Sequence, residues 1–293
     1  MKIYDCFMYF DEEVVLDLRL NALDKFIDKF VIVESVFTHK GEQRELNFNI
    51  KNFEKFRDKI IYLVYDKQPK DLLTIRDQKS DHGGYIINAL LRENGQRNFI
   101  SEGLKFAKDD DLILISDVDE IPNLENINLK KCKEKIIQFR QDMFHYKFNL
   151  KLPNFTWTGT KGCKKKNLIN PQWLRNIKDK KYPFFRIDTF FSKTKYINVK
   201  FIDNGGWHFS NIKSAEEIRY KLKSYLHHRE FDINPLKTNE IKNIIEKKQA
   251  IYDLNVDKRI SKFGNGSKLE KYPIDKLPQY LQNNIKKYEQ WID

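Results

Sequence analysis

The chain has 293 residues, of which 40% are hydrophobic and 22 are Phe, and its formal net charge is +12 at pH 7. This aromatic content excludes a disordered chain, because disordered segments contain too few aromatic residues to bury a core. The length fits one large domain or two closely packed ones.

The first 122 residues predict alternating strands and helices. Residues 2–9 alternate like a strand, and an apolar stripe with helical spacing follows at Leu16, Leu20, Leu23 and Ile27. Three short apolar runs predict strands that are buried on both faces, namely Phe30–Val33, Ile60–Val64 and Leu112–Ile115. Between the last two, a helical region broken near Gly83–Gly84 and Gly95 is expected over roughly 77–107.

The second half of the sequence is less regular. Residues 143–150 alternate like a strand, whereas 151–206 predict irregular loops beside short strands. A capping-box signature at Ser214–Glu217 begins a helix, and 279–292 predict a terminal helix. The whole pattern predicts an α/β fold with a mainly parallel central sheet flanked by helices and a helical C-terminal region.

Cysteine usage and the apolar runs predict the compartment. Cys6, Cys132 and Cys163 lie far apart and form no CxxC pair, so we expect neither a disulfide framework nor a structural zinc site. Acidic residues interrupt the apolar run near the N-terminus, and no stretch approaches the ~20 apolar residues that span a bilayer. We therefore expect a soluble, cytoplasmic protein.

The positive charge is concentrated in one segment. Residues 161–200 contain twelve lysines and arginines but only two aspartates, a net charge of +10. Such a segment is either a solvated lysine-rich face or a patch for an anionic partner, such as a phosphate-bearing glycan, lipid headgroups or nucleic acid. Peripheral contact with an anionic membrane or with an acceptor is therefore one expectation for it.

Two Asp-x-Asp pairs flank the apolar run Leu112–Ile115. Asp109 and Asp111 precede the predicted strand, whereas Asp117 and Asp119 follow it. Ligands of open α/β sheets bind outside the carboxyl ends of the strands, so only the second pair lies at the correct end. The first pair is expected to form a solvated turn.

The second pair suits a divalent cation. Mg²⁺ and Mn²⁺ prefer oxygen ligands and usually combine one or two carboxylates with substrate phosphate oxygens. Ile121–Pro122 ends the strand there, because proline removes a backbone donor and restricts the residue before it. A cation at Asp117 and Asp119 would neutralise the charge that develops on a departing nucleoside diphosphate.

Several longer motifs resemble glycosyltransferase family 17. They are IYDCFMYFDEEVVLDLRLNAL at 3–23, IDKFVIVESVFTHKG at 27–41, DLILISDVDEIP at 111–122, GWHFS at 206–210 and HREF at 228–231. The resemblance implies a GT-A fold, an inverting mechanism, a divalent metal (Mn²⁺ or Mg²⁺) and a UDP-sugar donor, UDP-GlcNAc in the best-known members. It also implies a glycan acceptor.

The resemblance also suggests how the chain divides its work. We expect 1–293 to form a single domain in which 1–122 bind the nucleotide sugar and the metal and 123–293 bind the acceptor. In GT-A enzymes a histidine from the C-terminal half often completes the metal site, which points to His208 beside Asp117 and Asp119. The alternative for His208 is a packed core residue.

Donor-binding roles follow from the same comparison. Glu34 ends a predicted strand where GT-A enzymes commonly carry an acidic nucleoside ligand; otherwise it caps the next loop. Arg97 lies on the helix before the metal strand, where a guanidinium could bind phosphate or uracil, or merely lie on the surface. His39, in the loop after the second strand, is a candidate phosphate contact or an inert loop histidine. Trp207 is expected to stack on a sugar ring or to belong to the core.

An inverting transfer needs a base for the acceptor hydroxyl. A bound cation makes its aspartate ligands poor bases, so the candidates are Asp203, just before the GGWH motif, and Glu120, beside the metal pair.

Four alternatives remain open at this point. A nucleic-acid binder would explain the charge, but it should interleave basic and aromatic residues along one element. A nucleotidyltransferase would also use paired aspartates, but the sequence contains no GxxxxGK[ST] phosphate loop. A non-catalytic glycan-binding relative and a transferase that uses a UDP-hexose or GDP-mannose are the remaining alternatives.

Overall fold

The computed structural model describes residues 1–75, 82–125, 127–225, 228–252 and 266–293. The first part of the chain contains β1 (Ile3–Tyr9), α1 (Glu13–Leu23), β2 (Lys29–Ser35), β3 (Ile60–Tyr65), α2 (His82–Gly103) and β4 (Leu112–Asp117). A 3₁₀ helix at Ile50–Phe56 connects β2 to β3.

The remainder begins with β5 (Glu120–Pro122), β6 (Ile136–His145), β7 (Leu150–Lys164), α3 (Pro171–Asn176), α4 (Asp188–Phe191), β8 (Val199–Ile202) and β9 (Gly206–Ser210). It continues with α5 (Ala215–Ser224), α6 (His228–Ile233), α7 (Thr238–Glu246), β10 (Glu270–Lys271) and α8 (Gln279–Asn283). Further 3₁₀ helices lie at Leu129–Lys131, Lys165–Asn167, Ile274–Lys276 and Ile285–Trp291.

The strands form one central sheet in the order β3-β2-β1-β4-β7-β6-β9-β5, with β10 paired to β7 and β8 paired to β6. The pairings among β1, β2, β3 and β4 are parallel. From β4 onward, β7 runs antiparallel to both β4 and β6, and β5 runs antiparallel to β9. The α/β class is confirmed, but the sheet is mixed, and the prediction of a mainly parallel sheet is wrong.

The β6–β7 hairpin explains this difference. The strand predicted over 143–150 is interrupted, because Tyr146 has a φ of 64° and the chain reverses between His145 and Leu150. So short a connection cannot cross over the sheet, and the two strands must pair antiparallel. The returning strand β7 is 15 residues long, where irregular loops beside short strands were predicted.

The predicted helices are mostly present. The capping box of α5 is confirmed, with Ser214 and Glu217 each bonding the other's backbone. Helix α2 continues through Gly95, where a Cβ atom would lie 2.6 Å from the Tyr65 hydroxyl, so the glycine permits close packing on the sheet. The part of the predicted helix before residue 82 lies outside the described residues. The terminal helix is interrupted at Asn284, whose φ is −128°.

Apolar side chains fill both faces of the sheet. One cluster joins Leu16 of α1 to Phe30 of β2, and a second joins Cys6 of β1 to Ile100 of α2, because successive strand residues point to opposite faces. A third cluster packs Met143 of β6 against α5 and α7. Strand β3 lies at the sheet edge and is only half-buried, although its apolar run predicted burial on both faces.

A buried arginine connects α1 to the turn after β4. The Arg19 guanidinium is fully buried and donates to both carboxylate oxygens of Asp5, at 2.8 and 2.6 Å. It also donates to the backbone carbonyls of Asp117, Val118 and Glu120, at 2.9 to 3.0 Å. The Arg19 guanidinium of α1 therefore holds the turn that carries Asp117 and Asp119 in place.

Among the helices of the described ranges, none has both the length and the apolarity that crossing a bilayer requires.

Replacing Arg19 tests this constraint. Arg19→Met is expected to lower the free energy of unfolding by about 3–5 kcal/mol, because the Asp5 carboxylate stays buried without its cation. Urea unfolding followed by circular dichroism measures the change. The control Arg57→Met removes the exposed pair with Glu54 and should leave the midpoint nearly unchanged. Equal losses in the two variants would contradict the role given to Arg19.

Candidate functional site

A cavity of about 570 Å³ opens at the carboxyl ends of β1, β2 and β4. Tyr9, Ser35 and Asp117 end these strands, and all three line the cavity. Helices α2, α3 and α5 supply further charged wall residues, namely Glu93, Arg97, Arg175 and Lys221. Because open α/β sheets bind ligands at this edge, the cavity is the candidate functional site.

Glu120 holds the turn rather than facing the cavity. Its carboxylate is fully buried and accepts hydrogen bonds from the Asp117 amide at 2.8 Å and from the Trp157 indole at 2.6 Å. Arg175 donates two further bonds to it, at 2.7 and 2.9 Å. A carboxylate with both oxygens occupied in this way is poorly placed to accept a proton from a substrate, so the geometry gives no support to Glu120 as the base.

Asp117 lies between two arginines. Its two carboxylate oxygens accept hydrogen bonds from Arg97 and from Arg175, each at 3.0 Å. Burial disfavours the charged carboxylate, but the two guanidinium groups outweigh this effect and hold the pKa of Asp117 well below its usual value. Arg97 also pairs with Glu93 at 2.7 Å, so the predicted donor-binding arginine is both in the cavity and firmly held.

The short helix α3 is positioned by contacts at both ends. Asn170 caps its first turn by accepting from the Trp173 amide at 2.7 Å. At its other end the Lys161 ammonium donates to the carbonyls of Arg175 and Ile177, each at 2.6 Å. Burial lowers the pKa of Lys161 to about 7, which shows how far this amine is removed from water. These contacts hold the backbone of α3, and the bonds of the Arg175 guanidinium to Asp117 and Glu120 fix the direction of its side chain.

Asp119 and His208 form a second polar pair. The His208 Nε2 atom lies 3.5 Å from a carboxylate oxygen of Asp119, and the Lys221 ammonium lies 3.8 Å from the other oxygen. Burial alone would lower the pKa of His208, but the Asp119 carboxylate raises it above the usual value. The Nδ1 atom of His208 is buried and has no hydrogen-bond partner among the described residues.

His145 is a wall residue that the sequence analysis missed. It is 2% exposed, it lines the cavity, and neither of its ring nitrogens has a partner in the described part of the chain. Burial, followed by the positive charge of His208, lowers the pKa of His145 to about 3, so the ring is neutral at ordinary pH. Its position on β6 carries a signal, because Met143 and His145 alternate on one face and both line the cavity.

His39 lies in the cavity wall. Its Nε2 atom is 3.2 Å from the Gln96 side-chain oxygen, and Gln96 in turn donates to the Val33 carbonyl at 3.0 Å. Burial lowers the pKa of His39, which favours a neutral ring that can offer a hydrogen bond.

Glu34 is fully buried and does not line the cavity. Its carboxylate accepts from Arg44 at 2.9 Å, from the Tyr62 hydroxyl at 2.9 Å and from two backbone amides, those of Asn47 and Phe48. These bonds fix the loop after β2, which is the structural alternative considered for this residue. The structure therefore gives no support to direct donor binding by Glu34.

Trp207 and His208 point to opposite faces of β9. Trp207 is 8% exposed, belongs to the main apolar cluster and donates from its indole to the Lys276 carbonyl at 3.1 Å. The tryptophan that lines the cavity is Trp157 of β7, whose ring centroid lies 5.6 Å from that of His208. Stacking of a sugar on Trp207 is therefore not supported by its position.

Asp203 lies outside the cavity. Its side chain is 74% exposed and pairs with Arg140 at 3.1 Å. Both residues line a separate surface depression of about 320 Å³. A base at Asp203 would need an acceptor hydroxyl in that depression rather than beside Asp117.

The residues at hand fit a divalent cation only in part. Among the described residues no group of three His, Cys, Asp or Glu side chains is arranged to hold a metal ion. Asp119 and His208 offer one carboxylate and one imidazole, which suit an ion whose other ligands are phosphate oxygens. Each oxygen of Asp117 accepts one bond, from Arg97 or from Arg175, so a cation at Asp117 would have to use a remaining lone pair beside two positive guanidinium groups.

The two cavity histidines are expected to titrate differently. In protein freed of divalent cations, the pKa of His145 should lie near 3 and that of His208 above the usual histidine value. Asp119→Asn removes the charge that stabilises the His208 imidazolium, so that pKa should fall below the usual value. Ring chemical shifts followed by NMR against pH measure both, with Asp109→Asn as the control. An unchanged His208 pKa in Asp119→Asn would contradict the pairing.

Comparison with known proteins relates this site to one family. The sequence model of glycosyltransferase family 17 matches residues 1–292. The beta-1,4-mannosyl-glycoprotein 4-beta-N-acetylglucosaminyltransferases of Homo sapiens, Rattus norvegicus and Mus musculus are each 28% identical to the chain over 225 residues. These matches cover 72% of this chain and 40% of each relative, so the chain spans about two fifths of their length.

A solved structure of 2-C-methyl-D-erythritol 4-phosphate cytidylyltransferase from Francisella tularensis is also similar. The match covers 75% of this chain and 98% of that chain, at 10% identity and a TM-score of 0.30, and so low a score does not indicate a shared fold. The family match, by contrast, includes every motif on which the resemblance was based, and it confirms that resemblance. The chain belongs to glycosyltransferase family 17.

Proposed function

We propose that this protein is an inverting, metal-dependent glycosyltransferase of the GT-A type that transfers N-acetylglucosamine from UDP-GlcNAc to a glycan acceptor. The observation that carries the proposal is the position of the Asp119–His208 pair. It lies in a 570 Å³ cavity at the carboxyl ends of parallel strands, beside the buried Arg97 and the partly exposed Arg175. The family and the names of the three relatives support the choice of reaction and of the transferred sugar.

The donor diphosphate fits best between Asp119 and the two arginines of the cavity. Asp119 and His208 would hold the cation, while Arg97 and Arg175 offer guanidinium groups to phosphate oxygens. A cation bound there would supply Lewis-acid stabilisation of the leaving diphosphate. In this arrangement Asp117 keeps both arginines oriented, because its two oxygens each accept from one of them.

Sugar rings would meet the aromatic part of the wall. Trp157, Tyr225 and Tyr252 all line the cavity, and the Trp157 ring is held in place by its hydrogen bond to Glu120. Aromatic rings combine an apolar face with a polar edge, which suits sugars that expose both C–H groups and hydroxyls. Trp157 therefore takes the stacking role that the sequence analysis gave to Trp207.

His145 is proposed to contact a substrate hydroxyl. Its neutral ring has two nitrogens that lack partners in the described part of the chain, and a ligand would supply them. A pKa near 3 makes it too weak a base to remove the acceptor proton alone. Its role is therefore to orient a hydroxyl by hydrogen bonding.

A donor-hydrolysis screen tests the reaction and the donor together. UDP-, GDP- and CMP-sugars are incubated with the protein, with Mn²⁺ or with a chelator, and the released nucleotide is measured. UDP-GlcNAc with Mn²⁺ is expected to give the fastest release, and the chelator should abolish it. Preference for GDP-mannose would overturn the donor assignment, and full activity with chelator would overturn the metal dependence.

Variants connect that activity to the cavity. Asp119→Asn should lower the rate on the order of 100-fold or more, because it weakens binding of the divalent cation that would stabilise the leaving diphosphate. Asp109→Asn is the matched control, since Asp109 is exposed at the opposite end of β4. Its neighbour Asp111 is not a suitable control, because it is 3% exposed and accepts from the backbone amides of Lys2 and Lys108, so the expectation of a solvated turn is wrong for Asp111. Asp203→Asn should also leave the rate unchanged. A loss in Asp203→Asn with normal turnover in Asp119→Asn would move the active site to the other depression.

A further inference from the structure

An exposed aromatic segment lies between α3 and β8, at residues 182–191. Five of its large apolar side chains are largely exposed to solvent, namely Phe184, Phe185, Ile187, Phe190 and Phe191. Two of them, Phe184 and Phe191, are 81% and 86% exposed. Soluble monomers rarely expose contiguous apolar patches of this kind, and such patches usually mark an interaction surface.

The exposed segment is anchored, because the residues that directly follow it are hydrogen-bonded to the rest of the protein. The Trp173 indole donates to the Lys193 carbonyl at 2.7 Å, and the Lys178 amide donates to the Thr194 carbonyl at 2.9 Å. Within the segment, Asp188 accepts from Arg186 at 2.7 Å. These hydrogen bonds hold the backbone of the segment in place while its phenylalanine side chains remain exposed to solvent.

The surroundings of the segment are strongly basic. Residues 161–200 contain twelve lysines and arginines and two aspartates. Both aspartates are paired within the protein, Asp179 with Arg140 and Asp188 with Arg186 and Lys195. Exposed Lys180, Lys181 and Lys193 flank the aromatic rings. A partner that binds this surface must therefore provide an apolar region for the exposed side chains and negative charge for the lysines.

We propose that residues 182–191 dock on the surface of an anionic lipid bilayer. The phenylalanines and Ile187 would enter the boundary between headgroups and acyl chains, while the surrounding lysines contact acidic headgroups. This combination of apolar and cationic side chains is typical of peripheral membrane contacts. The surface stands apart from the cavity, so the proposal does not depend on the proposed reaction.

Two other occupants fit less well. A second copy of the chain would bring two strongly basic segments together, and their repulsion opposes such a dimer. Single-stranded nucleic acid would stack on aromatic rings, but Ile187 offers no ring and Phe184 and Phe185 meet edge to face at 80° rather than forming a stacking row.

Vesicle flotation with the full chain tests the proposal. Vesicles of phosphatidylcholine alone are compared with vesicles that also contain phosphatidylserine, and poly(U) RNA serves as a competing polyanion. Binding is expected only to the phosphatidylserine vesicles, and added salt should weaken it. The double variant Phe184→Ser/Phe191→Ser should lower the partition coefficient at least about tenfold, and Lys180→Glu/Lys181→Glu should also lower it.

Matched control variants distinguish binding through this surface from non-specific binding to vesicles. Phe106→Ser removes another phenylalanine, which is 92% exposed elsewhere, and Lys130→Glu/Lys131→Glu reverses charge outside the segment. Both should leave binding unchanged, and thermal unfolding of all variants should match the wild type. Absence of vesicle binding, losses of the same size in the controls, or tighter binding to poly(U) than to the phosphatidylserine vesicles would each overturn the proposal. A dimer in solution that dissociates in the double phenylalanine variant would also overturn the proposal.

Discussion

The Arg19 guanidinium is the constraint on which the candidate site depends. It is a buried charge, and a buried charge must be fully paired and hydrogen-bonded to be tolerated. Asp5 on β1 supplies the opposite charge. The Nη1 group donates to three backbone carbonyls at the turn between β4 and β5, and Nη2 also donates to the Ser116 hydroxyl. Moving that turn would leave part of this charge without partners, so the turn is held in one conformation.

The same logic continues upward from the turn to the cavity. The carboxylate of Glu120, at the end of the turn, is buried, and the guanidinium of Arg175 on α3 neutralises its charge. Arg175 then reaches Asp117, which also binds Arg97 of α2. A chain of alternating charges therefore connects the sheet to both helices that form the wall. Each group in it is placed by its neighbours before any ligand arrives, which is what a preorganised binding site requires.

The two aspartates after β4 are consequently not equivalent. Asp117 accepts hydrogen bonds from two guanidinium groups at 3.0 Å, whereas the basic neighbours of Asp119, His208 and Lys221, lie at 3.5 and 3.8 Å. The looser contacts leave Asp119 freer to bind an incoming cation. For this reason the proposed mechanism gives Asp119 the metal and gives Asp117 the task of orienting arginines.

Much of this edge could be predicted from the sequence. The apolar run before Asp117 predicted a buried strand, and the rule that ligands bind at carboxyl ends selected Asp117 and Asp119 over Asp109 and Asp111. Arg97, His39 and His208 were also brought to the cavity. The rest needed three-dimensional pairing, since a sequence pattern does not show that β7 returns antiparallel between β4 and β6.

Strand alternation limits which candidate residues can face the cavity together, whereas contacts between distant parts of the chain cannot be predicted from the sequence. Trp207 and His208 are neighbours on a strand, so strand alternation alone allows only one of them to face the cavity. By contrast, Asp203 and Glu34 differ from true cavity residues only through partners distant in sequence, such as Arg140 and Tyr62. Those partners become visible only when the chain is folded.

The central claim is that the turn fixed by Arg19 presents Asp119 and His208 to a cation shared with a nucleotide diphosphate. Crystals grown with UDP-GlcNAc and Mn²⁺, measured at a wavelength where manganese scatters anomalously, test it most directly. The account predicts one anomalous peak inside the cavity, in contact with the Asp119 carboxylate and with diphosphate oxygens. A diphosphate bound elsewhere, or bound in the cavity by arginines with no manganese peak at Asp119, would contradict it.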